Sequence, residues 1–222
     1  MIRINQFVAK STGVSRRNAD ELIQNGRVQV NGHNALTGQQ VSKADEVTLD
    51  GSVLIEKEIK TIIFNKPVGY VCSRKMQGND PTIYELLPDE FEHLNPVGRL
   101  DKDSSGLMIL SNDGDLVQRL SHPSAGKWKR YYIETNTKLS DHQLQQLNKG
   151  IELDDGLSKL KTSREGNGYL VQLQEGRNRQ IRRTIESIGA KVTKLHRGAI
   201  GEIQIQDLRE GTWNDLEQVK SL

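Results

Sequence analysis

From Thr61 onward the apolar residues arrive in short runs: Ile62-Ile63-Phe64, Leu107-Met108-Ile109-Leu110, Tyr131-Tyr132-Ile133 and Tyr169-Leu170-Val171-Gln172-Leu173. Runs of this length are strand-sized, and each is bounded by glycine, polar or charged residues. Helical patterns are interspersed, over residues 140–149 and 178–188. Strands and helices alternate irregularly, so the pattern predicts an α+β domain in which helices flank a mixed sheet.

The first 60 residues follow a different rule. Ile4, Phe7 and Val8 recur at helical spacing, and Gly13 is placed to end that helix. Ser15 is a candidate N-cap for a second helix with the apolar stripe Ala19, Leu22 and Ile23, and Gly26 is its expected stop. Arg27-Val28-Gln29-Val30 then alternates as a strand does, and Asn31-Gly32 is a tight-turn signal. Val47-Thr48-Leu49 before Asp50-Gly51 repeats the strand-and-turn pattern. The charged stretch 56–60 is the expected linker, which divides the chain into residues 1–58 and 61–222.

Charge narrows the function classes. The net charge of the 222 residues is only +2, but residues 176–197 hold Arg177, Arg179, Arg182, Arg183, Lys191, Lys194 and Arg197 against Glu186. Residues 1–33 are also cationic, through Arg3, Lys10, Arg16, Arg17 and Arg27 against Asp20 and Glu21, whereas residues 34–60 reverse the sign. Cations clustered on a balanced chain point to a polyanion partner. Arg16 and Arg17 in a first helical turn oppose the helix dipole, so they do little for the helix itself. A single cysteine, Cys72, forbids an internal disulfide and fits a reducing cytoplasm. The scattered histidines make no zinc-ligand spacing, and no phosphate-binding glycine loop is present, so neither metal nor nucleotide cofactor is expected.

Four segments carry candidate chemistry. The first runs Gly98-Arg99-Leu100-Asp101-Lys102-Asp103-Ser104-Ser105-Gly106, a polar loop with two carboxylates ahead of the run 107–110. Alone, an Asp in such a loop reads as a turn or cap residue. The second, Asn65-Lys66-Pro67-Val68-Gly69, follows the strand at 62–64 and by itself reads as a turn. The third is Lys129-Arg130-Tyr131, where Tyr132 competes with Tyr131 for any role. The fourth is Glu175-Gly176-Arg177-Asn178-Arg179-Gln180-Ile181-Arg182-Arg183, with a helix expected from near Asn178. Its buried stripe is Ile181, Ile185 and Ile188, which leaves Arg182 and Arg183 off that stripe, and Gly189 ends it.

In chain order the segments resemble the motifs of pseudouridine synthases, over most of residues 61–200, and residues 2–51 resemble the S4 RNA-binding domain. Leu195-His196-Arg197-Gly198-Ala199-Ile200-Gly201 narrows the likeness to the branch that modifies uridines of small- and large-subunit ribosomal RNA. The resemblance implies a small S4 domain of two helices and short strands, then a mixed, largely antiparallel sheet. It implies Asp101 as the catalytic carboxylate, Tyr131 against the target base, and Arg182 paired with Asp101. Asp103 is expected to shape the loop. Lys66, Pro67 and Gly69 are implied to support the site from beneath, and Gly98, Arg99 and Leu100 complete the Asp motif. RNA contacts are implied for Lys10, Arg16, Arg17, Arg27, Lys129, Arg177, Arg179 and Arg183. Two departures are mild: Ser104 stands where threonine is common, and Arg179 where some members have histidine.

The implied activity is cofactor-free isomerisation of a flipped-out uridine in a structured stem-loop of ribosomal RNA, preferably of the large subunit. A monomer with no membrane association is expected. The chief alternative is an S4-type ribosome-associated factor that binds rRNA without modifying it. It accounts for the basic segments but not for the Asp, Tyr and Arg motifs occurring together. A glycosidase-like hydrolase is a weaker rival, because that chemistry ordinarily uses two carboxylates.

Overall fold

A computed structural model describes residues 1–74, 76, 78–121 and 126–216. His122, one of the scattered histidines, lies outside the described residues. The chain divides into two compact units, Met1–Lys60 and Thr61–Leu222.

In the first unit, α1 (Ile4–Thr12) ends at Gly13, whose φ of 83° lets its N–H reach back to Ala9. The second helix, α2 (Arg16–Gln24), is capped by the Ser15 hydroxyl, which accepts from the Asn18 N–H. Its buried residues Ala19 and Ile23 meet Ile4 and Val8 of α1 in a core completed by Val28, Val30, Val41 and Val47. The strand Val28–Val30 pairs on one side with His33–Asn34 and on the other with Val47–Leu49. Asn31-Gly32 and Asp50-Gly51 both take positive φ, at 51° and 80° and at 50° and 79°. That is the geometry in which a two-residue hairpin turn matches strand twist.

The second unit is built on one mixed sheet. Its strands are β1 (Thr61–Lys66), β2 (Ser105–Ser111), β3 (Lys129–Thr135), β4 (Lys161–Glu165), β5 (Gly168–Leu173), β6 (Val192–Ile200) and β7 (Trp213–Asp215), in the spatial order β4-β5-β3-β6-β2-β1-β7. All neighbours are antiparallel except β6 and β2. Short strands Asn95–Pro96 and Ile203–Gln204 add to β2 and β6. The helices are α3 (Gly114–Ser121), α4 (Asp141–Lys149) and α5 (Gln180–Glu186). One face buries Phe64, Met108, Tyr131, Ile133 and Val171 with Ile181 and Ile185 of α5. The other buries Ile63, Leu107, Ile109 and Ile200 with Val117 and Leu120 of α3. Among the described residues no helix is long and apolar enough to cross a membrane.

The parallel pair sets the depth of the loop before β2. Gly106 sits opposite Arg197 at φ 110°, and a Cβ there would come within 2.3 Å of the Arg197 carbonyl oxygen. Gly106→Ala must strain its own backbone and push β6 away from β2. A loss of about 3 kcal/mol is expected, measured as a lower urea midpoint at unchanged slope.

Candidate active site

The loop 98–104 leaves the sheet at Val97 and returns at Ser105, between a left-handed Gly98 (φ 72°) and the close approach at Gly106. Three anchors hold it. Lys66, the last residue of β1, is wholly buried. Its ammonium donates to the carbonyl oxygens of Pro67 (2.9 Å), Asp101 (3.1 Å), Lys102 (3.5 Å) and Ser104 (2.7 Å). Gly69 N–H donates to the Lys102 carbonyl at 2.7 Å, and a φ of 94° shapes its turn. Leu100 is buried, and the Cys72 thiol donates to its carbonyl at 3.1 Å. Thus the Lys-Pro-x-Gly turn is a cradle for the Asp loop. Burial pushes the Cys72 thiol up, which keeps it protonated and able to donate. In the sequence, Cys72 bears only on disulfides. Its role in the loop has no local signal, because 28 residues separate it from Leu100.

Above the loop lies an open cleft of about 690 Å³. Its lining includes Asp101, Arg99 and Leu100 from the loop, Tyr131 from β3, and Arg179 and Arg182 from the segment entering α5. Strand alternation decides between the two tyrosines. Tyr131 faces the buried side, 7% exposed, and lines the cleft, while Tyr132 points to the opposite face, where Lys194 lies over its ring.

The arginines are distributed differently from the expected pairing. Arg179, in left-handed backbone (φ 47°) just before α5, donates from both guanidinium nitrogens to Asp103, at 3.1 and 2.9 Å. Its Nη1 also lies 3.8 Å from Asp101 Oδ2. Arg182 makes its ion pair with Asp103, not with Asp101: Nε lies 3.3 Å from Asp103 Oδ2. The expected Arg182–Asp101 pair is not an ion contact within 4 Å; Asp101 acts on Arg182 through its charge at longer range. The reason is that the guanidinium is pinned elsewhere: Nη2 donates to the Asp103 carbonyl (2.7 Å) and Nη1 to the Val192 carbonyl (3.2 Å). Those bonds hold it two residues beyond Asp101. Burial draws the Asp103 carboxyl upward, but the Arg179 hydrogen bonds and the charge of Arg182 outweigh it and leave it below the usual range. Asp103 is thus more than a shaper of the loop.

The other cationic candidates divide into those committed internally and those turned outward. Arg177 donates to the carbonyls of Asp155, Gly156 and Leu157 and pairs with the Asp155 carboxylate, so it braces the turn at 154–155 and the start of the strand Gly156–Ser158. Arg183 pairs with Asp155 at 2.6 Å and donates to the Asn178 carbonyl. Lys129 reaches the carbonyls of Gln174 and Glu175 at 3.4 Å each. Arg27 pairs with Asp50. Arg17 is exposed, Arg16 is exposed with one bond to Asn5 at 3.3 Å, and Lys10 is partly exposed.

Residues 60–187 match the family RNA pseudouridylate synthase, and residues 2–47 match the S4 domain. The chain is 38% identical over 227 residues to an "uncharacterized RNA pseudouridine synthase" of Aquifex aeolicus (strain VF5), covering 98% of this chain and 91% of that one. It is 33% identical to the ribosomal large subunit pseudouridine synthase B of Yersinia pestis, covering 97% of this chain and 72% of the relative. A crystal structure of a pseudouridylate synthase superposes with a TM-score of 0.71 at 28% identity, covering 99% of this chain and 98% of the other.

Proposed function

We propose that this chain, which belongs to the RNA pseudouridylate synthase family and is an RNA pseudouridine synthase, isomerises a uridine of ribosomal RNA through the carboxylate of Asp101. The observation that carries the residue assignment is the convergence, in one cleft, of Asp101, Tyr131 and the α5 arginines from separate parts of the chain. Ribosomal RNA, and the large subunit in particular, is favoured by the names of relatives such as the Yersinia pestis enzyme.

The chemistry breaks N1–C1′, turns the uracil, and joins C5 to C1′; the C5 proton leaves and N1 gains one. No electrons or groups are exchanged with a second molecule, so side chains and water suffice and no cofactor is invoked. Asp101, whose side chain is 37% exposed, has room to meet the nucleotide. It serves either as nucleophile or as the base for the C2′ proton. Tyr131 lies against the flipped base from the cleft wall. Extracting that base from its stack costs a few kcal/mol, which phosphate contacts at exposed cations offset. In this reading residues 1–58 grip the RNA and residues 61–222 act on it, as a monomer in the cytoplasm.

The reading is tested with RNA carrying tritium at C5 of uridine. Purified protein is expected to release tritium from ribosomal RNA transcripts and leave pseudouridine behind. Binding without release would favour the rRNA-binding factor, and free uracil would favour the hydrolase.

The S4 contribution is tested separately by Arg16→Glu with Arg17→Glu. RNA affinity is expected to fall at low salt and the slope of log affinity against log salt to flatten, by about one for each phosphate that is no longer neutralised. Filter binding across a salt series reads both. Unchanged binding at low salt would remove these arginines from the interface.

A further inference from the structure

We infer that the face of the sheet turned away from the cleft, over β3, β4 and β5, holds a single-stranded stretch of the substrate RNA. This takes RNA as the substrate, as the proposed function does, and is independent of which carboxylate reacts. Residues paired directly across antiparallel strands point to the same side. Lys161 of β4 lies opposite Gln172 of β5, and Gln172 lies opposite Arg130 of β3. Ser163, Leu170 and Tyr132 form the next row on the same side. Helices α4 and α5 pack through Leu147, Ile181 and Ile185 into the core that holds Tyr131 and Val171, on the cleft side. Helix α3 covers the far side over β1 and β2, through Val117 and Leu120. Among the described residues, no helix of this unit is left for the far side of β3, β4 and β5.

The chemistry of this face fits an RNA strand. Lys127 and Lys161 are exposed, and Arg130 is partly exposed with no hydrogen bond or ion pair among the described residues. Lys161 Nζ stands 4.2 Å over the ring of Trp128, so an aromatic surface and three cations share one end of the face. Two strand spacings put Arg130 and Lys161 about 10 Å apart. The carboxylates that these strands turn to this side, Glu134 and Glu165, lie at the opposite ends of β3 and β4, where Lys194 is 3.7 Å from Glu134. Cations neutralise phosphates, and a ring among them offers a base a stacking surface. Only an unpaired base has a free face to stack, which selects a single strand over a duplex. Lys161 sits on a flexible stem, so it turns to a phosphate and yields the ring to a base. An acidic protein would use the cations and leave the ring idle.

A ribosomal RNA transcript carrying 4-thiouridine, irradiated with the full chain, is expected to crosslink to the peptide that contains Trp128. Arg130→Glu with Lys161→Glu is expected to weaken transcript binding by about 10-fold at low salt and to lower the slope of log affinity against log salt by about two. Trp128→Leu is expected to weaken binding by about 10-fold and leave that slope unchanged. Should the reversed pair fail to melt cooperatively, Arg130→Gln with Lys161→Gln carries the same test, with a loss of about threefold expected. Parental affinity and slope in the charge variants would overturn the inference. So would crosslinks confined to the cleft and residues 1–60, or polyglutamate displacing the transcript from Trp128 as readily as oligouridylate does. An inactive parent would contradict the proposed function, while crosslinking and binding still decide this one.

Discussion

Asp101→Ala is expected to slow pseudouridine formation by more than about 10⁴-fold, the scale seen when a group that performs bond chemistry is removed. Three features make the expectation specific. Asp101 lines the cleft with its side chain 37% exposed, so the carboxylate has access to a bound nucleotide. The loop's hold on Lys66 uses the Asp101 backbone carbonyl, which the substitution leaves in place. A partly exposed side chain with one long ion contact contributes little to folding, so stability is expected to change by no more than about 0.5 kcal/mol. RNA affinity is expected to stay near the parental value. The loss therefore falls on the chemical step, read as tritium release in single turnover. Asp101→Asn, which keeps the shape and loses the charge, is expected to be nearly as slow. Activity within tenfold of the parent in either variant would assign the chemistry to another group.

The second large effect belongs to Lys66. Lys66→Met keeps the volume and removes an ammonium that satisfies four carbonyl oxygens. Three of them belong to residues 101–104, so the loop and the core lose their joint at once. Breaking a buried charged cluster from one side costs about 3–5 kcal/mol, because the remaining polar atoms are left dry and unpaired. Both tryptophans, Trp128 and Trp213, lie in the second unit, so urea unfolding followed by fluorescence isolates that unit. A clear drop in the midpoint is expected, and activity is expected to fall as well, since Asp101 loses its support. A midpoint equal to the parent's would mean that the loop stands without Lys66.

Much of the architecture is legible in the sequence because local chemistry dictates it. Asn31-Gly32 and Asp50-Gly51 are the dipeptides that tolerate positive φ, and both occupy hairpin turns. Ser15 caps α2 through the Asn18 N–H, as its position ahead of an apolar stripe requires. Period-two alternation is enough to separate Tyr131 from Tyr132 once the strand is established. The central strand β6 is less visible. Its sequence, Val-Thr-Lys-Leu-His-Arg-Gly-Ala-Ile, mixes polar and apolar residues: Thr193 and Lys194 are exposed, while Arg197 is buried. Arg197, 2% exposed, satisfies Nε on the Leu107 carbonyl, a partner 90 residues away. No short-range pattern predicts a buried arginine there. Helix α3 is likewise hard to read from the sequence, because among the described residues its apolar packing against the sheet is by Val117 and Leu120, both only partly buried, in an eight-residue span.

The cleft shows the same limit more sharply. Motif order places Asp101, Tyr131 and the α5 arginines in one segment set, and the fold gathers them in one cleft. It does not say which arginine meets which carboxylate. Arg179 and Arg182 are three residues apart on one segment, and Asp101 and Asp103 are two apart on another. The outcome depends on where Val192 pins the Arg182 guanidinium and on the left-handed backbone at Arg179, both tertiary facts.

The most direct measurement is a carbodiimide map of pseudouridines in ribosomal RNA from a strain lacking this gene, beside the same strain complemented with the parent or with Asp101→Ala. The account predicts that a large-subunit pseudouridine disappears with the gene, returns with the parent, and stays absent with Asp101→Ala. An unchanged map in the deletion strain, or a site restored by Asp101→Ala, would contradict it.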